Sequence, residues 1–486
     1  MSQEVSREGT EDIRFWPFMF AVFLGSFISV MSSSTMTIAL PELQRFFGVE
    51  LSLIQWTLTG FMLAMGTVAP LTGYLGDRFS AKRLYLGALI GFSVASLVCG
   101  WAWDAYSLIA FRILQGAFCG IILPVTMTLI YQVLPREKQA MAVSLWSLSA
   151  MLAPAFGPTL AGWLITVGNW RWLFFINLPV CLLALGMTAR NVPYYRLRKA
   201  GSFDAPGLVT VVIGSLLLLM TFSKSGAWGW SSAKTLGLFA AGSVSLIFFV
   251  VRELRTHAPL LDLRVLANRR YLLTLIVSTI ITISLYSGTF LMPVFLQHTQ
   301  GRSALDTGLI LLPASLVMAL LMPLVGRLYP MLGPRTLMTA GVVLMGAGTY
   351  AFTFLTPDTS STYVLVWMLV RNAGISLSTM PAGNAGMEQI PPAHSGHASS
   401  MSNWLRNVFG SFSIAIFTSL LSTFGIHEAE LLRKKGMVDP GVLKQWAFVE
   451  SINDVYLTAT LIVLAALPLC LLVSKNPGLP PSSSPS

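Results

Sequence analysis

About fourteen stretches of this chain, centred near residues 28, 64, 93, 120, 153, 181, 214, 243, 284, 317, 345, 374, 412 and 464, are mostly apolar for roughly 20 residues each, the length a helix needs to cross a bilayer. A backbone in lipid finds no water to pair with, so each stretch must satisfy its own amides. That selects helices, since barrel strands would be about half as long and would alternate in polarity. The predicted fold class is therefore an all-α membrane protein with 14 transmembrane helices. Composition agrees. Of 486 residues 54% are hydrophobic and 10% charged, with a mean hydropathy of +0.70, against about 25% charged in soluble proteins. An ordinary soluble enzyme is excluded.

The net charge of +11 is divided among many loops and forms no stripe that would fit nucleic acid. It reads instead as a topology signal, because cytoplasmic loops carry the excess of Lys and Arg. A cytoplasmic N-terminus puts about 19 basic residues on that side and about nine on the other, which predicts cytoplasmic N- and C-termini. The loop before the last span runs against the trend with Arg433, Lys434, Lys435 and Lys444, and five carboxylates from Glu428 to Asp454 accompany them. It is expected to cap the outer face or to receive a periplasmic adaptor protein. The N-terminal tail mixes Glu4, Glu8, Glu11 and Asp12 with Arg7 and Arg14, unlike a secretory signal. Cys99, Cys119, Cys181 and Cys470 lie far apart in apolar runs, without metal-ligand spacing. No cofactor and no metal are expected.

Two segments about 250 residues apart look alike, the weak internal symmetry of transporter halves. Gly73, Leu75, Asp77, Arg78, Lys82 and Arg83 join the second and third spans; Gly326, Arg327, Leu328, Gly333, Pro334 and Arg335 join the tenth and eleventh. Arg112 precedes Pro124 in the fourth span as Arg371 precedes Pro381 in the twelfth. The predicted organisation is a cytoplasmic tail (1–14), a six-helix bundle (15–200), an inserted helical hairpin (201–260), a second six-helix bundle (261–474) and a cytoplasmic tail (475–486).

Within this frame a few residues carry chemistry. Asp77 sits at the start of the third helix, where the partial positive charge of a helix N-terminus favours a carboxylate; the alternative is a charged turn obeying the positive-inside rule. Arg112 is deep in an apolar helix, where a guanidinium facing lipid would cost at least ~2.5 kcal/mol, so it faces protein or water unless it snorkels to an interface. Gln115 and Gly116 share its face. Pro154, Gly157, Pro158 and Gly162 in the fifth span combine lost backbone donors with small residues for close packing. Ser32, Ser34 and Thr37 in the first span, Gln55 and Trp56 at the head of the second, and Arg371 are candidates for a substrate pocket; the first-span hydroxyls equally suit bonds within or between helices. None of the 20 carboxylates falls in the middle of a span, so no acid is expected at the membrane centre for a cation or a proton. No nucleophile triad or HExxH metal motif is present.

These residues together resemble the major facilitator superfamily, and within it the fourteen-span drug/proton antiporter branch of the EmrB/QacA type. Gly73 to Arg83 is similar to the superfamily loop signature between spans 2 and 3, with Ser80 and Ala81 where that pattern prefers Gly and a basic residue. Arg112, Gln115, Gly116 and Gly120 resemble the fourth-span motif that the family links to proton coupling. Gly157, Pro158 and Gly162 match the fifth-span antiporter motif, associated with export. Trp170, Arg171, Trp172, Phe174, Ile176, Asn177 and Pro179, and Phe295, Gln297, Gly301, Ser303, Gly308 and Pro313, resemble strings of the fourteen-span branch. That branch usually carries an Asp in the first span; Ser32 stands there instead.

The resemblance implies a proton-driven efflux transporter in a bacterial inner membrane, working by alternating access, with Arg112 and Gln115 in proton coupling and Gly73, Asp77, Arg78, Lys82 and Arg83 as a conformational latch. With Ser32 for Asp, the expected cargo is an amphipathic neutral or anionic compound. A dedicated exporter of one metabolite, siderophore or antibiotic is a close variant. A non-pumping facilitator or membrane sensor is the alternative of another class.

Overall fold

The computed structural model describes residues 14–194, 204–256, 259–390, 395–437 and 439–473; of the two expected tails only Arg14 falls among them. Every regular element in the described residues is helical. The passes are α1 (Phe15–Phe47), α2 (Trp56–Val68, entered through one turn at Leu51–Ile54), α3 (Ala81–Gly100), α4 (Ala105–Val133), α5 (Arg136–Val167), α6 (Asn177–Asn191, entered through Trp172–Phe175), α7 (Ala205–Trp228), α8 (Ala233–Arg255) and α9 (Arg269–His298). A single helical stretch, Ala304–Ala351, follows. Gly333 breaks it with φ 74° and ψ 162°, giving α10 (304–332) and α11 (334–351). The last three are α12 (Ser361–Met387), α13 (Ser395–Lys434) and α14 (Pro440–Leu464, continued by Ala466–Leu472). The expected fourteen passes are present.

Short polar residues start the helices where the chain turns. The Asp104 carboxylate accepts the Ser107 amide at 2.7 Å, and Ser107 Oγ accepts the Asp104 amide at 3.2 Å, closing both ends of a capping box on α4. Ser232, Asn268, Ser303, Ser360 and Asp439 accept first-turn amides of α8, α9, α10, α12 and α14. Small residues then set how closely the helices approach. A side chain at Gly116 or Gly120 would run into the backbone of Phe61 or Met65 on α2, and Gly341 meets the Gly374 carbonyl between α11 and α12.

The turn before α3 repeats the break at Gly333. Ser80 has φ 77° and ψ 146°, and it is the one non-glycine residue with positive φ among the described residues. It lies seven residues beyond Gly73, as Gly333 lies seven beyond Gly326. An L side chain there costs of order 1 kcal/mol or more, and Ser80 Oγ recovers part by accepting the Arg83 amide at 3.4 Å.

Helix α7 leans on α13, where Ser225 and Ser419 hydroxyls meet at 2.7 Å, and Gly226 packs on the Ser419 backbone. Helix α8 lies against α7 through Gly214 and Gly242, which admit Leu246 and Leu218, and exposes Leu236, Phe239, Val244, Ile247 and Phe248 on its other side. An apolar exposed face of this kind suits lipid.

Candidate functional site

Arg112 is fully buried on α4 and gathers acceptors from three helices. Its Nε donates to the Thr57 carbonyl at 2.9 Å, Nη1 to Ser32 Oγ at 2.9 Å and Gln115 Oε1 at 2.6 Å, and Nη2 to the Ser32 carbonyl at 3.3 Å. The Phe61 ring lies 4.1 Å from the guanidinium carbon and the Phe174 ring 5.8 Å, so aromatic faces supply further attraction for the cation. Gln115 Nε2 passes the network on to Ser96 Oγ at 2.6 Å, which Asn177 Nδ2 also approaches at 3.4 Å. Five helices, α1, α2, α3, α4 and α6, thus meet through one polar chain. Every acceptor on Arg112 is neutral. Ser32, which stands where the resembling branch carries an acid, is the residue that touches the guanidinium.

The matching position in the second half is less complete. Arg371 is fully buried on α12 and reaches α9, with Nη2 on the Ser284 and Leu285 carbonyls and 3.3 Å from Ser287 Oγ. Its Nε and Nη1 have no partner among the described residues. Gly288 makes room for it, since any Cβ there would overlap the guanidinium.

The fifth-span string joins helices on two sides. Pro154 and Pro158 interrupt the α5 ladder; Ser34 Oγ of α1 donates to the Ala153 carbonyl there at 3.2 Å, and Gly157 leaves space for Ser34. On the other side Gly162 lies against the backbone of Ala304 and Leu305, Gly308 lies against the backbone of Pro158 and Thr159, and Thr159 Oγ1 donates to the Gly308 carbonyl at 3.1 Å. This contact links α5 of the first half to α10 of the second at the end of the bundle that carries the Gly48 turn. Gln297 Nε2 on the Ile38 carbonyl, 3.1 Å away, ties α9 to α1 at the same end.

Gln55 and Trp56 complete that seal. Both donate to Ser223 Oγ of α7, at 3.1 Å and 2.9 Å, and Gln55 Oε1 accepts the Thr418 hydroxyl of α13. Thr37 Oγ1 bonds the Ser34 carbonyl of its own helix at 2.8 Å. Removing the Gln55 amide takes one bond each from Ser223, which keeps Trp56 Nε1, and from Thr418, which keeps the Ile414 carbonyl, a net cost of about 0.5–1.5 kcal/mol per bond. Gln55→Leu is therefore expected to lower the thermal unfolding midpoint of the purified protein measurably, and an unchanged midpoint would show the tie to be incidental.

At the opposite end, Lys82 Nζ donates to the Ala189 carbonyl at 2.9 Å, the Arg83 guanidinium lies 4.9 Å from the Tyr194 ring and that of Arg78 lies 5.6 Å from the Phe79 ring. Lys82 and Arg83 thereby bind the start of α3 to the end of α6 and to Tyr194 just beyond it. Asp77 does not open α3 as expected: it lies near the C-terminal end of a short helix, Leu71–Phe79, and Ser80 caps α3 instead; the side-chain surroundings of Gly73 and Asp77 lie outside the described residues. The four cysteines are buried and unpaired. Residue spacing had not pointed to Ser96 or the Thr57 carbonyl, because their partners lie on other helices.

Fourteen largely apolar helices, with guanidinium groups buried on α4 and α12, fit a multi-pass membrane transporter. The chain belongs to the Major Facilitator Superfamily, whose family model matches residues 22–414. It is 34% identical over 432 residues to the uncharacterized MFS-type transporter YhcA of Bacillus subtilis (strain 168), covering 87% of this chain and 80% of that one. It is 29% identical to the lincomycin resistance protein LmrB of Listeria monocytogenes serovar 1/2a, with 87% and 89% covered. With the multidrug export protein EmrB of Escherichia coli (strain K12) it shares 27% identity, with 89% and 85% covered. Its fold is similar to that of a bacterial homolog to the human lysosomal transporter Spinster, inward-facing and unoccupied, at a TM-score of 0.66 and 16% identity over 96% of this chain and 97% of that one. A D-xylose-proton symporter matches at a TM-score of 0.64 and 14% identity over 95% and 98%.

Proposed function

We propose that this protein is a proton-driven antiporter of the fourteen-span EmrB/QacA type. It exports an amphipathic neutral or anionic compound across a bacterial inner membrane, with both termini in the cytoplasm. The observation that carries the reading is the buried Arg112 held by neutral acceptors alone, one of them Ser32. An uncompensated guanidinium repels cationic cargo and attracts anionic or electron-rich groups. In this orientation the Gly48 end faces outward, so the contacts of Gly162, Gln297 and Gln55 belong to an outward-closed state and must part for release. Names of relatives support the direction of transport: LmrB is a lincomycin resistance protein and EmrB a multidrug export protein.

The test uses inverted membrane vesicles with an imposed pH gradient, following proton movement as cationic, neutral and anionic compounds are added. Proton release with neutral or anionic compounds is expected, and Arg112→Ala should abolish it while the protein still inserts in the membrane. Retained release in that variant would remove Arg112 from the mechanism. Compounds that equilibrate without moving protons would favour a facilitator.

A further inference from the structure

Two carboxylates that read as helix-end charges in the sequence are buried together at the start of α7 and the end of α8. Asp204 caps α7: its Oδ1 accepts the Gly207 amide at 3.0 Å and Arg252 Nε at 2.7 Å. Its Oδ2 has no donor among the described residues. Glu253 is wholly buried; its Oε2 accepts the Leu261 amide at 3.0 Å, and its Oε1 likewise has no donor. The two leftover oxygens converge on Gly207. A Cβ there would stand 2.5 Å from Asp204 Oδ2 and 2.6 Å from Glu253 Oε1, so the two oxygens lie within about 5 Å of each other.

With both groups ionised, two buried negative charges would flank one guanidinium, with lone pairs facing each other. One proton resolves both problems. Glu253 as a carboxylic acid donates from Oε1 to Asp204 Oδ2, Asp204 stays ionised on Arg252, and each oxygen has a partner. We propose that Asp204 and Glu253 form a proton-binding site that holds one proton near neutral pH, and that its occupancy governs how α7 and α8 dock on the segment leading into α9.

Among the described residues, Asp204 and Arg252 are the charged groups beside Glu253. On α8, Arg255 is exposed. In the segment before α9, Asp262 accepts the Arg264 amide at 3.1 Å, and Arg264 Nη2 donates to the Leu254 carbonyl at 3.3 Å. Arg269 and Arg270 at the head of α9 are exposed, and Tyr271 donates to the Ala398 carbonyl of α13 at 2.8 Å. Phe249, Leu261 and Leu263 belong to one buried apolar cluster near this site. Loss of the proton leaves Asp204 and Glu253 repelling each other across Gly207, which pushes the first turn of α7 from the last turn of α8. Because Leu261 hangs on Glu253, that movement passes directly to the lead-in of α9.

The inference is independent of the antiport reading, and its test reads protonation rather than transport. Infrared difference spectra of the purified full-length protein are recorded as pH is raised. At about pH 6 an unperturbed Glu, with a pKa of ~4.3, is almost wholly ionised. A protonated-carboxyl C=O band is expected to persist at that pH, to vanish in Glu253→Gln, and in Asp204→Asn to fade at a pH lower by about one unit or more. Glu253→Gln keeps a donor toward Asp204 and is expected to fold. Absence of the band from the unsubstituted protein at about pH 6, or its survival unchanged in Glu253→Gln, overturns the proposal.

Discussion

Ser32→Asp is expected to admit cationic compounds that the unsubstituted protein turns away. Ser32 Oγ lies 2.9 Å from Arg112 Nη1, so an Asp side chain at the same place reaches the guanidinium and takes the local charge from positive to neutral. A cation about 7 Å from Arg112 is opposed by ~2.4 kcal/mol at an effective dielectric constant of ~20; removing that opposition is worth roughly 50-fold in affinity. A neutral compound of the same shape should bind as before. Stability should change little, because the cost of burying a second charge offsets much of the new attraction. The measurement is the ratio of apparent affinities for a matched cationic and neutral pair in inverted vesicles. A ratio that does not move would mean that Arg112 does not select cargo by charge.

Gly162→Val should act on the conformational equilibrium instead. Gly162 touches the α10 backbone at Ala304 and Leu305, and a Cβ there would overlap main-chain atoms that cannot rotate away. Overpacking of this kind costs ~1–3 kcal/mol, and it falls only on the state in which α5 and α10 touch. The population should shift roughly 5- to 150-fold away from that state. Thiol labelling of Gln297→Cys from the Gly48 end provides the readout, since Gln297 is sealed against Ile38 and the four native cysteines are buried. Faster labelling with loss of transport is the expected result. Unaltered labelling would place the role of the motif inside the first bundle, where Gly157 meets Ser34.

Much of the fold was legible in the sequence because membrane insertion turns length and polarity into structure almost directly. A run of about 20 apolar residues must be a helix, and the fourteen passes follow. The burial of Arg112 followed from the cost of exposing it to lipid, and its neighbour Gln115 from helical spacing. Its partners on other helices did not follow. That Ser32 and Thr57 meet Arg112 depends on the rotation and depth of α1 and α2, set by contacts such as Gly116 on Phe61. Gln55 and Trp56 read as pocket residues from their position, whereas they are placed against α7 and α13. Glu253 was hidden most fully. In the run Arg252-Glu253-Leu254-Arg255 it reads as one more charge at a helix end, and the groups it meets, the Leu261 amide and the Gly207 turn, lie outside its own helix.

The paired turns at Ser80 and Gly333 bear on descent. Both residues hold the same left-handed backbone at equivalent places in the two halves, yet one has a side chain that this backbone disfavours. The shape of the turn is shared where the residue is not. A gene that doubled and then drifted would leave this trace, with geometry inherited on both sides and sequence free to diverge wherever the new residue's own hydroxyl can compensate. Ancestry in such chains is better sought in matching dihedral angles than in matching letters.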